Sequence, residues 1–107
     1  MSQPIAGVHA IERIILVNLK EGVLEEQFSI VAQHGKDLLG VIPGVEVISA
    51  GMALNTNASH RYYVRLRFRD FNALQGYETH PNHAKYGLQE WLPNITDEIL
   101  NDYVIIY

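Results

Sequence analysis

A strong alternation runs through the stretch His60 to Arg69, which reads HRYYVRLRFR. Successive side chains of a β-strand point to opposite faces, so such a pattern separates an apolar face from a polar one. The apolar face carries Tyr62, Val64, Leu66 and Phe68, and the other face carries Arg61, Arg65, Arg67 and Arg69. We predict a strand with its apolar face under helices and its arginines paired with carboxylates, such as Glu46 or acids of a second copy.

Working back from this strand, the sequence predicts three further elements. Val45 to Met52 alternates weakly and indicates a neighbouring strand, and Pro43-Gly44 before it ends a helix. That helix is indicated by apolar residues at steps of three and four, namely Leu24, Phe28, Val31, Gly35, Leu38 and Ile42. Arg13 to Lys20 is apolar on both faces, as in a central strand.

Working forward, the sequence predicts two helices and a last strand. Asp70 is a good N-cap for a short helix that carries Leu74 and Tyr77 on one face. His80-Pro81 restarts the chain in a second helix with proline at its first position. We expect its buried stripe to be Ala84, Leu88, Trp91 and Ile95, and we expect the last strand to run from Asp102 to Tyr107.

The predicted order β-α-β-β-α-β is that of an α+β ferredoxin-like sandwich, with an antiparallel sheet covered by helices on one face. The first and third strands would be central. The other sheet face would be bare, and the fourth strand, apolar on both faces, would be an exposed edge. We therefore expect a homodimer through the sheet face and the C-terminal strand. Residues 1–12 would form an arm, and residues 13–107 a single domain.

Composition excludes several classes of function. A chain of 107 residues fits one globular domain, and the absence of cysteine excludes disulfides and thiol catalysis. The net charge of −4 argues against nucleic acid or an anionic membrane as a partner. No apolar run is long enough for a membrane span, and the start has no basic region followed by an apolar one, so we expect a cytoplasmic location.

Three motifs together resemble the stress-responsive dimeric α/β-barrel (Dabb) family: Leu19-Lys20-Glu21-Gly22, Ile42-Pro43-Gly44-Val45 and Tyr77-x-x-His80-Pro81-x-His83. The resemblance implies a ferredoxin-like protomer whose sheet packs on that of a partner. Many members of the family have no assigned activity. One plant branch consists of cofactor-independent polyketide cyclases, which use a tyrosine and the second histidine of the His-Pro-x-His motif. By position, the resemblance assigns these catalytic roles to Tyr77 and His83 and implies no cofactor.

The resemblance also implies a pocket between sheet and helices. By this comparison its lining would include Arg13, Ile15, Val17, Val31, Gly35, Tyr62, Val64 and His80. Arg13 stands where the cyclases have a histidine, and Val31 and Gly35 stand where they have aromatic residues. We therefore expect a wider and more cationic cavity. Gly35 on a buried helix stripe requires either close packing or open space, because glycine weakens a helix.

Each candidate residue has an alternative interpretation. His83 could act as a base beside Tyr77, or it could only contact a local carboxylate or water. His80 is expected to fix the helix start, and a metal site at the two histidines would lack a third ligand, so we predict no metal. Arg13 could extend to solvent at the strand end or could receive a carboxylate or enolate oxygen at a pocket mouth. Tyr86 and Trp91 are assigned to packing.

Three functions remain open from the sequence. The first is a homodimer that binds a small apolar or aromatic molecule in the pocket, and the second is a cofactor-independent enzyme acting on a ketone substrate. The third is a structural dimer without a ligand.

Overall fold

The computed structural model describes residues 9–107 as one antiparallel sheet with helices on one side. The strands are β1 (Ile11–Leu19), β2 (Val45–Met52), β3 (Tyr62–Phe68) and β4 (Ile95–Val104). The helical elements are α1 (Glu25–Leu39), α2 (Phe71–Thr79), α3 (Pro81–Tyr86), a π-helical turn (Gly87–Trp91) and α4 (Leu92–Asn94). Residues 1–8 of the predicted arm lie outside the described residues.

The strand order β2-β3-β1-β4 places β1 and β3 at the centre of the sheet. Ile15 of β1 lies opposite Val64 of β3 on one side and Leu100 of β4 on the other. This is the predicted ferredoxin-like arrangement, and it is confirmed. The alternation in β3 has the predicted consequence, because Tyr62, Val64, Leu66 and Phe68 are all buried under the helices.

Helix α1 is held to the sheet by Phe28, Val31, Gly35 and Leu39. The buried stripe differs from the predicted one at its ends. Leu24 is exposed at the N-cap, and Leu39 is more deeply buried than Leu38. Ile42 is buried as predicted, but it lies beyond the helix, which ends before Gly40. Gly44 then turns the chain into β2 with a φ of +77°, a conformation that favours glycine.

The second helical region follows the sequence prediction only in its first half. The Asp70 carboxylate accepts a 2.9 Å hydrogen bond from the Ala73 backbone N–H, which caps α2 and directs Leu74 and Tyr77 into the core. The predicted stripe of the following helix was wrong, because Ala84 and Leu88 are exposed and Ile95 belongs to β4. The buried position is instead held by Tyr86.

The last strand was also predicted wrongly, since β4 begins at Ile95 and ends at Val104. Its register against β1 shifts between Leu16 and Asn18, where β4 has one extra residue. Asp97 lies at this bulge with a φ of +56°. Beyond the bulge the even-numbered residues face the helices, so that Leu100 lies opposite Ile15 and Asp102 lies opposite Arg13.

The other face of the sheet carries no helix within the described chain. Its exposed or half-exposed apolar side chains are Ile14, Leu16, Tyr63, Ile99 and Tyr103. The predicted pairing of the arginines with Glu46 is not found. Arg65 forms its ion pair with Glu12 instead, and Tyr63 lies among the arginines with its hydroxyl 3.1 Å from that of Ser49. No helix among the described residues is long and apolar enough to cross a membrane.

Candidate ligand pocket

A hollow of about 130 Å³ lies between the helix-facing side of the sheet and the layer formed by α1, α3 and the π-helical turn. Most of its lining is apolar. The lining residues are Arg13, Ile15, Ala32, Gly35, Leu39, Val47, Ala50, Val64, Leu66, Tyr77, His83, Tyr86, Gly87, Trp91, Glu98 and Leu100. An engineered apolar cavity of about 150 Å³ binds benzene in another protein, so this hollow has room for about one six-membered ring.

Tyr77 and His83 meet at one end of the hollow. Tyr77 lies in the last turn of α2, and His83 lies in the first turn of α3. Because the chain bends at His80-Pro81, the two rings come together with their centroids 4.6 Å apart. The Tyr77 ring also packs edge-on against Phe68, with centroids 5.0 Å apart. The Tyr-x-x-His-Pro-x-His motif therefore brings a phenol and an imidazole to the same wall.

His80 is the N-cap of α3 and does not line the hollow. The His80 Nδ1 atom accepts a 3.0 Å hydrogen bond from the backbone N–H of Asn82, and the backbone N–H of His80 donates to the Tyr77 carbonyl. These contacts fix the angle between α2 and α3, as expected for a structural role. His83 forms no side-chain hydrogen bond to a carboxylate within residues 9–107, and its half-buried ring borders the hollow.

Arg13 is buried, with only 5% of its surface exposed, and lies at the same end as Tyr77. Its Nε and Nη2 donate to the two oxygens of Asp102 at 2.7 and 2.9 Å, and Nη2 also donates to Glu78 Oε2 at 2.9 Å. Burial lowers the pKa of Arg13, but the hydrogen bonds to the two carboxylates outweigh it and raise the pKa above its ordinary value. The side chain therefore does not extend to solvent.

The guanidinium also contacts aromatic rings. Its central carbon lies 5.7 Å from the centroids of both Phe68 and Tyr77. Burial raises the pKa of the Tyr77 hydroxyl to about 12, although the positive charge of Arg13 opposes this change. At neutral pH the phenol is therefore protonated and can donate a hydrogen bond to a molecule in the hollow.

The sequence predicted that Gly35 would widen the cavity and that Arg13 would make it more cationic, and the structure shows neither effect. The space beside Gly35 is filled from the neighbouring helix α3 by Tyr86, whose hydroxyl donates a 2.6 Å hydrogen bond to the Val31 carbonyl. The charge of Arg13 is offset by Glu78 and Asp102. The Tyr86 ring therefore occupies the space that a larger side chain at Gly35 would fill. Helix periodicity alone did not predict this contact between the two helices.

The hollow includes six of the residues predicted for the site, namely Arg13, Ile15, Gly35, Val64, Tyr77 and His83. The others predicted are elsewhere: Val17 and Val31 are fully buried in the core, Tyr62 packs on Phe28 with ring centroids 4.7 Å apart, and His80 caps α3. Sequence reasoning missed the contributions of Glu98 and Leu100, because β4 was placed too late in the chain. Trp91, assigned to packing, lines the hollow and donates a 2.7 Å hydrogen bond to Glu98.

No group of three histidine, aspartate or glutamate side chains that could hold a metal ion occurs within residues 9–107. At the polar end of the hollow, Arg13 donates hydrogen bonds to Glu78 and Asp102, and the rings of Tyr77 and His83 pack against each other.

A ferredoxin-like sheet with one helix-covered face and a hollow beneath the helices defines a class of small α+β proteins. Within this class, the model of the family described as "Stress responsive A/B Barrel Domain" matches residues 11–105. The chain belongs to this family. No curated protein matches the sequence.

Solved structures with the same fold come from several organisms. A Dabb family protein from Mesorhizobium loti has a TM-score of 0.78 and 20% identity, over 92% of this chain and 99% of the other. A dimeric ferredoxin-like protein of unknown function from Thermobifida fusca has a TM-score of 0.77 and 19% identity, over 91% and 92%. A hydroxynitrile lyase from Passiflora edulis has a TM-score of 0.79 and 13% identity, over 92% and 94%. At these identities the likeness establishes the fold.

Proposed function

We propose that this protein is a homodimer of the stress-responsive barrel type that binds a small apolar or aromatic molecule in the hollow. The observation that carries the proposal is the hollow itself, an apolar space of about 130 Å³ with Arg13, Tyr77 and His83 at one end. Ligand pockets generally combine apolar walls with a few convergent polar groups. The size favours a single ring or a molecule of similar volume.

The homodimer is supported by the uncovered face of the sheet. Leu16 and Ile99 lie opposite each other there and are 37% and 45% exposed. A contiguous apolar face of this kind is a docking surface in soluble proteins. The Thermobifida fusca protein and a Bacteroides fragilis protein with the same fold are both described as dimeric.

The test is a thermal-shift and NMR titration of the whole protein with one-ring compounds, with the single tryptophan Trp91 as a reporter in the wall. Binding raises the melting temperature by mass action, by about 10 °C at about 100 times the Kd. The Gly87→Leu variant adds a side chain where the hollow has open space, and it should abolish the shift.

Gly76→Leu is the matched control, because Gly76 also has open space around it but lies on α2, outside the hollow lining. It should bind like the wild type. If no one-ring compound binds, or if Gly87→Leu binds as well as Gly76→Leu, the ligand-binding proposal is wrong. The protein would then be better described as a structural dimer without a ligand.

A second candidate function is acid-base catalysis on a ketone or polyketide-like substrate without a cofactor. It is favoured by the contact of the Tyr77 and His83 rings and by the protonated phenol, which could donate to a substrate oxygen while His83 takes a proton. The Passiflora edulis neighbour is an enzyme.

The enzyme proposal predicts that His83→Ala lowers kcat/KM at least about a hundredfold and removes the pH dependence of the rate, while folding is unchanged. His60→Ala is the control, since His60 lies in the loop before β3 and does not line the hollow. An unchanged rate in His83→Ala would reject acid-base chemistry at this site but would leave ligand binding intact.

A further inference from the structure

The charged groups at the end of the hollow form one connected set around Arg13. Its Nε and Nη2 donate all of their protons to Asp102 and Glu78, at distances between 2.7 and 2.9 Å. The Arg13 charge is therefore already matched by two carboxylates, and the set carries a net negative charge. A third carboxylate, Glu98, lies in the wall of the hollow and accepts from Trp91.

The protonated Tyr77 hydroxyl is a hydrogen-bond donor at this end. Arg13 also lies in hydrogen-bond reach of the Tyr77 oxygen, while the Tyr77 hydroxyl proton has no acceptor among residues 9–107. The guanidinium and the phenol lie close together, with the guanidinium carbon 5.7 Å from the ring centroid. A ligand that offers a lone pair here can accept from the Tyr77 hydroxyl, so it gains affinity over a ligand without an acceptor.

The geometry points to one class of ligand, an uncharged molecule of about one ring that carries a hydrogen-bond acceptor. This inference rests on the proposed function. We propose that the Glu78–Arg13–Asp102 triad selects this class and rejects carboxylates, although an arginine in a pocket ordinarily suggests an anion. An anion bound at Arg13 would be repelled by the two carboxylates that already contact and neutralise the same guanidinium. A cation would lie against the positive guanidinium of Arg13, which lines the hollow.

The test uses three molecules of nearly the same shape and different charge: benzamide, benzoate and benzamidinium. Binding is measured by NMR chemical-shift titration of the full chain at pH 8, followed at the Trp91 indole and the Gly87 amide, which belong to residues of the wall. We expect benzamide to bind at least about tenfold more tightly than benzoate and more tightly than benzamidinium. Benzoate binding as tightly as benzamide, or benzamidinium binding more tightly, would overturn the inference.

A charge variant separates the triad from the overall charge of the protein. Glu78→Gln keeps an oxygen acceptor for Nη2 and removes one negative charge, and Glu78 is 49% exposed, so folding should survive. We expect this change to tighten benzoate binding at least about threefold and to leave benzamide within about twofold. Glu46→Gln makes the same change in net charge on the exposed edge strand β2, and it should leave both affinities unchanged.

Two failures are distinguishable in this experiment. If benzoate affinity does not change in Glu78→Gln, or changes equally in Glu46→Gln, the triad does not set the selectivity, and the pocket proposal stands. If neither the three probes nor toluene perturbs the residues of the wall, the hollow is not a binding site, and the inference fails together with the proposed function.

Discussion

The hydroxyl of Tyr86 lies 2.7 Å from the position that a Cβ atom on Gly35 would occupy. This close approach joins α1 to α3 and closes one wall of the hollow. The same hydroxyl donates to the Val31 carbonyl, so the phenol is held at both its ring and its polar end. Burial also raises the pKa of Tyr86 above its ordinary value. The absence of a side chain at Gly35 is therefore a packing requirement.

Gly35→Ala should destabilise the protein by about 1–2 kcal/mol, because the added methyl group displaces Tyr86. In an unobstructed helix the same substitution stabilises by up to about 1 kcal/mol. Gly76→Ala on α2 provides that reference, since nothing lies within 4 Å of its Cβ position. The free energies of unfolding from urea denaturation should change in opposite directions, and a shared direction would contradict the packing argument.

The two carboxylates on Arg13 should contribute unequally to stability. Asp102 accepts two hydrogen bonds from Arg13 and is 31% exposed, whereas Glu78 accepts one and is 49% exposed. Asp102→Ala leaves a buried guanidinium short of partners and should cost about 2–3 kcal/mol. Glu78→Ala should cost less than about 1 kcal/mol. Equal losses in urea denaturation would contradict this assignment.

The same triad predicts non-additivity. Arg13→Met removes the buried charge, after which Asp102 can take up water at its exposed side. Adding Asp102→Ala to Arg13→Met should therefore cost at least about 1 kcal/mol less than Asp102→Ala costs in the wild type. A double-mutant cycle by urea denaturation measures the difference, and strictly additive losses would show that the two side chains do not interact.

Stability should fall at alkaline pH because of Tyr77. Its folded-state pKa of about 12 lies above the ordinary 10.0, so the folded protein holds the phenol proton more tightly than the unfolded chain does. The resulting stabilisation is present below pH 10.0 and is lost as the pH rises toward about 12. We expect a loss of up to about 3 kcal/mol over this interval.

Tyr77→Phe is the control for the alkaline prediction. It should reduce the slope of unfolding free energy against pH without removing it, because Tyr86 titrates in the same direction. Urea denaturation at several pH values, with phenolate absorbance as a second probe, measures both slopes. Identical slopes in the wild type and the variant would mean that Tyr77 is not the group responsible.

The proposed dimer makes a prediction about one leucine. Leu16→Asp puts a charge in the middle of the open face of β1 and should convert the dimer to a folded monomer, since an unpaired charge in an interface is costly. Leu54→Asp is the control, because Leu54 is fully exposed in the loop between β2 and β3. Analytical ultracentrifugation distinguishes the two. A Leu16→Asp protein that still sediments as a dimer would place the interface elsewhere.

The sequence predicted those strands and helices that have one buried face and one solvent-exposed face. In β3 the alternation of Val64 with Arg65 reflects the two environments directly, and the strand was found where expected. Helix α1 was predicted for the same reason, through Phe28, Val31 and Gly35. Both patterns follow from the period of the element itself, 2 residues in a strand and 3.6 in a helix, so they can be recognised without knowing which elements pack beside them.

The parts that could not be predicted are those in which the period changes. The π-helical turn Gly87–Trp91 changes the helix period directly after Tyr86, so a buried stripe at steps of three and four does not continue through it, and Leu88 is 69% exposed. The motif located Tyr77 and His83, and the structure brings them together. The partners of Arg13 could not be located, because Asp102 was assigned to the start of a strand that in fact begins at Ile95.

The bulge at Asp97 determines which side chains of β4 lie on the same face of the sheet as Arg13. The strand enters the sheet with Ile95 on the helix side and continues beyond the bulge with Asp102 on that same side, which an unbroken alternation would not allow. Losing one residue between them would send the carboxylate to the opposite surface and leave the guanidinium without it. Across relatives that keep this arginine, insertions and deletions in the segment should therefore be rarer than replacements of individual residues, because here chain length, more than residue identity, preserves the ion pair.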